Sequence, residues 1–393
     1  MMRTLGFSGA LSVLALAAPF GCGEPFSSTS GGTGGATTTT TTTTSEGGQG
    51  GVGGVGGDAT TSSTGGMGGE GGAPGCTPEG CGPGEYCAAS GECTSCTEVG
   101  DEGFLFDTPV MIPLGNQSVK LFPRVRNEPG GGHRMVYSSR VSGDNYDIAT
   151  SVDDSEGVWG NGVIATGTGI NTVNPELGPM LMPSNKVVPA TPAVVAGALV
   201  FDSLESANVR KAFAANNFGA ISRSQVNLDD EGDTFSVAIA HALSAPYRYW
   251  FMSRRSISGV NVNRMYTRRL PDPSTTVSIV LYPGCTVPTT TTTDLAPWVT
   301  PDGKYLFFNT IYDPNESCNQ GTVIRSFYAR LNTSTGQLAE PPVWLNVMGV
   351  GINVKTPSLS PDMCTLYFAA DAVGHLEIYS ARRRSPPPPS GAR

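Results

Sequence analysis

An all-β repeat fold is predicted by three observations. Five apolar, β-like runs recur: RMVYSSR (134–140), ALVFDS (198–203), RYWFMSRR (248–255), KYLFFNT (304–310) and TLYFAAD (365–371). Measured between Tyr137, Phe201, Phe251, Phe308 and Phe368, they stand 64, 50, 57 and 60 residues apart, a period that outranks local secondary-structure signals. A further strand follows the run in four units, at DIATSV (147–152), RMYTRRL (264–270), SFYARL (326–331) and EIYSAR (377–382), and KAFAANN (211–217) is the best candidate in the remaining one. Alternation such as Phe327 and Ala329 against Ser326 and Tyr328 suits a strand with one buried face. Upstream, Pro297-Trp-Val-Thr-Pro-Asp-Gly-Lys and Pro357-Ser-Leu-Ser-Pro-Asp-Met-Cys precede two of the pairs. In Pro-Asp-Gly, Pro presets φ, Asp bonds its own backbone and Gly takes positive φ, so the unit reads strand, turn, strand, loop, strand. Such a sheet has two faces to cover and an edge at each side. Radial repetition covers the faces and shortens the edges, which predicts a β-propeller of five or six blades over residues 97–385.

The chain ahead of the repeat divides into three parts. Residues 1–21 carry Arg3 and the apolar stretch LGFSGALSVLALAA (5–18), too short to span a bilayer and laid out as a signal peptide. Ala15-Leu16-Ala17 offers an ordinary cleavage site, while Gly21-Cys22-Gly23 resembles the end of a bacterial lipoprotein signal, which would make Cys22 a lipid anchor. Export to the outer membrane or cell surface through that anchor is the expectation, with plain secretion as the alternative. Residues 22–75 hold an unbroken Thr run at 37–44 and one aromatic, Phe26, and 19 of the 52 Gly fall between 31 and 75. Such a segment cannot offset the entropy of ordering and reads as a disordered tether. As a Gly-rich coil it reaches roughly 40 Å.

Residues 76–96 contain Cys76, Cys81, Cys87, Cys93 and Cys96. Five Cys in so short a stretch predict a disulfide-held module rather than an apolar core. The Cys93-x-x-Cys96 spacing lacks the second pair a zinc ribbon needs and the βαβ setting of a redox site. The simplest arrangement has two bridges inside the module and the fifth Cys joined to the main domain. There, Cys285 and Cys318 form a candidate bridge across an insertion, and Cys364 is either a partner of the small module or a buried thiol. The segment FLFDTPVMIPL (104–114) has no hairpin partner nearby, while the last unit ends at its third strand. This N-terminal strand is therefore expected to close the ring as the outer strand of the last blade. Residues 386–393 form a flexible Pro-rich tail.

Thr300-Pro301-Asp302-Gly303, Ser360-Pro361-Asp362, SSRVSGDNYDIATS (138–151) and HLEIYSARR (375–383) resemble the repeat of TolB-type, WD40-like β-propellers. Members of that family act as interaction scaffolds, so the resemblance implies a protein, peptide or glycan binding role.

Chemistry is sparse in the sequence. A net charge of −9 argues against a nucleic-acid binder. His133, His241 and His375 fall in different units without metal or triad spacing, and no G-x-S-x-G is present. Asn227-Leu-Asp-Asp-Glu-Gly-Asp233 opens like a calcium loop, but Ala238 stands where the closing Glu belongs. No catalytic residue, metal or cofactor is expected. The sequence thus favours a monomeric, non-catalytic envelope lipoprotein rather than an enzyme, touching the membrane through its anchor alone, with an envelope or extracellular protein or glycan as partner. The alternative is an extracellular polymer-degrading hydrolase or lyase with its site in the propeller channel, which convergent carboxylates there would favour. Deleting residues 103–115 is expected to unfold the whole propeller cooperatively in thermal melts; local fraying alone would contradict closure by this strand.

Overall fold

The computed structural model describes residues 76 to 384, apart from 77–79, 83, 89–90, 101–102, 116–118, 129–130, 144, 155–156, 183–197, 207–208, 241–246, 258–259, 271–275, 280–294, 313–319, 346, 349–352 and 373–374. It is all-β and contains five four-stranded antiparallel sheets arranged as a five-bladed propeller. A small hairpin comes first, β1 (Glu85–Cys87) with β2 (Cys93–Ser95), followed by β3 (Val110–Met111). Blade I is β4 (Lys120–Asn127), β5 (His133–Ser142), β6 (Asn145–Val152) and β7 (Val163–Ile164). Blade II is β8 (Glu176–Leu181), β9 (Leu199–Ser206), β10 (Val209–Ala215) and β11 (Ser224–Gln225). Blade III is β12 (Gly232–Ile239), β13 (Tyr247–Ile257), β14 (Val260–Leu270) and β15 (Val277–Ser278). Blade IV is β16 (Leu295–Val299), β17 (Tyr305–Tyr312), β18 (Gln320–Arg330) and β19 (Val343–Trp344). Blade V is β20 (Lys355–Leu359), β21 (Thr365–Ala372) and β22 (His375–Arg382), and takes β3 as its fourth strand. The ring is therefore closed by the N-terminal strand, with Val110 opposite Ser380 and Met111 opposite Tyr379.

The first strand of each blade faces its neighbours around the ring's inner wall. The second strands carry the five aromatic markers of the sequence repeat, all fully buried. Each inner strand is interrupted at the same place by a bulge. At its centre stands a residue with positive φ: Phe122 (56°), Gly178 (56°), Ser236 (47°), Ala296 (55°) and Thr356 (50°). These positions recur every 56, 58, 60 and 60 residues, more evenly than the aromatic markers do. Four of the five are not Gly, and a left-handed non-Gly residue costs of order 1–3 kcal/mol unless its surroundings hold it there. Two local features help. Pro123, Pro179, Pro297 and Pro357 follow directly, disfavouring the right-handed helical region at the residue before and needing no ladder partner themselves. The neighbouring blade then captures the freed N–H: Ser236 N donates to Asp202 Oδ1 at 2.7 Å, Thr356 N to Asn309 Oδ1 at 2.9 Å and Phe122 N to Thr356 Oγ1 at 3.0 Å. Asp202 and Asn309 occupy the same register in their blades, opposite Leu177 and Leu295.

The small hairpin is pinned to the closing blade. Cys76–Cys87 and Cys81–Cys93 bridge the module internally, and Cys96–Cys364 joins it to blade V across 268 residues. Cys285 and Cys318 lie outside the described residues, as do the signal segment, Cys22, the tether and the tail. Cys364 follows the turn Ser360-Pro361-Asp362-Met363, in which Met363 takes φ 64° where Gly303 takes 72° in blade IV. Arg383 donates to the Cys96 carbonyl at 2.5 Å and stacks over both Tyr86 (4.5 Å) and Phe104 (5.0 Å). Phe104 is buried in an aromatic cage of Phe106, Tyr305, Phe307 and Tyr328, with ring centroids 5.0–6.3 Å away. The segment leading into the closing strand thus plugs the seam between blades IV and V. Phe104→Ala is expected to cost about 3–5 kcal/mol, read as a lower midpoint in urea unfolding followed by tryptophan fluorescence.

Candidate functional site: a carboxyl pair at a blade junction

Strand register sets three residues abreast where each inner strand begins. On the inner strand, two places before the bulge, stand Lys120, Glu176, Thr234 and Val354, the blade IV position lying outside the described residues. Second strands bring Ser139, Ser203, Ser253, Thr310 and Ala370 to the same level. Third strands add a charged residue in every blade: Asp147, Lys211, Arg264, Arg325 and Glu377. Three of these charges act on the following blade: Glu377 on Lys120, Lys211 on Asp233 and Asp147 on Glu176.

Two junctions are neutralised by pairing. Between blades V and I, Lys120 Nζ lies 2.6 Å from Glu377 Oε2, whose other oxygen is 2.8 Å from His375 Nε2. Between blades II and III, Lys211 Nζ lies 3.6 Å from Asp233 Oδ1. In blade IV, Arg325 stacks on Trp344 of its own blade at 5.1 Å. Between blades I and II the pattern differs: the Asp147 charge acts on Glu176, a like charge, while Glu176 itself pairs with Arg223 at 3.3 Å.

The environments of these two acids differ. Glu176 is fully buried. Thr172 Oγ1 donates to its Oε1 at 2.6 Å, Thr172 N to its Oε2 at 3.2 Å, and Arg223 Nη1 approaches Oε1 at 3.3 Å. Burial nevertheless raises its pKa, and the Asp147 charge adds to the rise, against Thr172 and Arg223. Asp147 is half-buried, and its Oδ1 is shielded from solvent and accepts no hydrogen bond among the described residues. Burial raises its pKa as well. Burial disfavours the ionised form of both carboxyls, which moves both pKa values upward. Carboxyls shifted in this direction are candidates for acid–base work.

Four residues further along β4 from Lys120, Arg124 reaches the ring's centre. Its Nη1 donates to three carbonyls of the inner strands, Pro123 O at 2.9 Å and Thr356 O and Pro357 O at 3.3 Å each. Burial pulls its pKa down to about 9 while the Asp202 carboxylate of blade II opposes the fall, so the guanidinium stays charged at neutral pH.

The sequence-derived candidates lie elsewhere. Of the cysteines, all six described ones are consumed in disulfides, Cys93 and Cys96 in different bridges. The acidic loop at Asn227–Asp233 spends its charges on arginines: Asp229 binds Arg255 at 2.6 Å and Asp230 binds Arg268 at 3.3 Å. His133 is paired with Asp153 at 2.7 Å and His375 with Glu377, while His241 lies outside the described residues. Asp147 and Glu176 were not singled out in the sequence, because they are 29 residues apart and only register across two sheets joins them. A usable signal exists in retrospect: the charged residue of every third strand, compared unit by unit.

No family model matches the chain, and no curated protein matches it. Similar solved structures are the alpha-L-arabinofuranosidase PaAbf62A from Podospora anserina (12% identity, TM-score 0.41, covering 72% of this chain and 97% of that one), a thermostable family-43 glycoside hydrolase (11%, 0.46, 70% and 91%) and the GH43_1 enzyme from Xanthomonas citri complexed with xylose (12%, 0.43, 70% and 90%). Two expectations are corrected. The TolB-type assignment is replaced by the coarser statement that the five four-stranded sheets support, a five-bladed β-propeller. The expectation of a non-catalytic, non-enzymatic scaffold is likewise withdrawn, the similar solved structures bearing glycoside hydrolase names, and the acids of the sequence reveal their placement only across blades.

Replacing Asp147 by Asn removes a charge that its burial disfavours. Its folded pKa lies above the ordinary 3.8, so ionisation costs stability at every pH above the folded value, and the cost fades as pH falls through it toward 3.8. Asp147→Asn is therefore expected to melt above the native protein at pH 7 and to converge with it near pH 3, measured by calorimetry.

Proposed function

We propose that the protein is an exported glycan-degrading hydrolase whose chemistry is carried by carboxyl groups around blade I. The observation behind this reading is that the charge of Asp147 acts on the like charge of Glu176 across a blade junction, Glu176 itself being paired with Arg223. Glycosidic-bond cleavage needs an acid that keeps its proton to protonate the leaving oxygen and a second, ionised carboxylate. Asp147, half-buried with raised pKa and no hydrogen bond on Oδ1, suits the acid. Glu377, held at 2.6 Å by Lys120 and at 2.8 Å by His375, suits the ionised partner on the other flank of the same blade. Glu176 is buried behind Asp147 and is a positioning residue that favours proton retention at the pair. Asp147 and Glu377 thus stand in different environments, one with an oxygen that accepts no hydrogen bond and one held by Lys120 and His375, as two distinct roles require. The signal segment and tether would hold such an enzyme at the envelope or release it, where polymeric glycans are met.

The test is release of reducing ends from a panel of plant and microbial glycans by the full chain. Asp147→Asn and Glu377→Gln are expected to lower kcat by about 10²–10⁴-fold while both variants keep a cooperative melt. Glu176→Gln is expected to shift the acidic limb of the pH profile downward more than it lowers kcat. Hydrolysis that persists in Asp147→Asn, or a native chain inert on every glycan, would overturn the assignment.

A further inference from the structure

The buried guanidinium at the ring's centre has a directional vacancy in its hydrogen bonding. All three of Arg124's bonds leave from Nη1 and end on backbone carbonyls. Among the described residues, Nε and Nη2 donate to nothing, and the side chain keeps 7% of its surface exposed. Nor is any carboxylate in direct contact with it: Asp202 acts through space while spending its oxygens on Ser236 and on Arg210. The carbonyl cage is neutral and fixes the guanidinium plane through one nitrogen. The two donors left over, Nε–H and Nη2–H, are parallel and form the side-on fork that matches a carboxylate with two hydrogen bonds. A lysine would present only a point charge here, and a neutral sugar hydroxyl would leave the charge uncompensated.

We propose that Arg124 anchors a carboxylate of the ligand inside the ring, so that the substrate class is a uronate-bearing glycan. The inference rests on the hydrolase reading for the word substrate, but the binding itself does not. Lys120 and Arg124 lie on either side of the bulge in β4 and pair with Ser139 and Val136, three residues apart on β5, a span of about 10 Å, which separates the anchored carboxylate from the carboxyl groups around blade I by a few sugar units. An acidic chain end held at the centre would thus present a linkage further along the chain to Asp147.

The test is calorimetric titration of the full chain with trigalacturonate, with its methyl ester and with xylotriose, alongside hydrolysis assays. Trigalacturonate is expected to bind, and both the ester and xylotriose to bind about ten- to a hundredfold more weakly. Arg124→Lys, which keeps the charge and loses the fork, is expected to lose a similar factor for trigalacturonate while its melt stays cooperative. If that variant fails to fold, the acid-to-ester ratio of the native chain still decides. Equal binding of acid and ester, native affinity in a folded Arg124→Lys, or no binding of trigalacturonate would each overturn the proposal. Hydrolysis of neutral glycans with no acid preference would sink this inference and leave the hydrolase reading standing. Acid-selective binding with no hydrolysis of any glycan would do the reverse.

Discussion

The structure depends on one repeated backbone constraint, the left-handed bulge near the start of every inner strand. A strand running straight through that point would keep its N–H groups inside its own blade. The bulge turns one N–H outward, and at three of the five positions a side chain of the adjoining blade, or of the next bulge residue, accepts it. Strained residues such as Phe122 and Thr356 are thereby held by neighbours rather than by their own sheet. Blade geometry and blade-to-blade contact are consequently the same interaction, which ties a chain of local hairpins into one cooperative ring. Proline after the bulge supports this by removing a donor that would have no acceptor.

The ring's weakest place is the seam where the chain begins and ends. Three devices converge there: β3 completes blade V, Phe104 fills the aromatic cage against blade IV, and Cys96–Cys364 fastens the small module to the turn before β21. Arg383 links them, since it follows the last strand, binds the Cys96 carbonyl and covers Phe104. A disulfide closing a loop of 268 residues restricts the unfolded chain strongly, so the module serves the closure energetically even though it adds no strand to a blade.

Function follows from the places where the repeat departs from its own rule. Every third strand carries a charged residue, and those of blades II, IV and V meet a partner or a ring to stack on. Placing Asp147 against Glu176 gives up stability at neutral pH, and keeping Arg124 caged by carbonyls alone gives up more. Both departures lie toward the inner strands. A common ligand that is anionic at one end and cleaved further along its chain accounts for both.

The sequence by itself determined the all-β class, the repeat, the closing strand and the burial of its aromatic markers, because two-residue alternation and turn chemistry act locally and recur unit by unit. It also carried the bulge period in the prolines at 123, 179, 297 and 357, although only the last two stood out beside a Pro-Asp turn. Exact blade count, the pairing of Cys96 with Cys364 and the meeting of Asp147 with Glu176 were decided by tertiary structure alone. Each depends on register between strands far apart in the chain, and a one-residue shift would send those side chains to the opposite face. Arg124 looked like one more basic residue on a strand; its carbonyl cage exists only once blades I and V close around it.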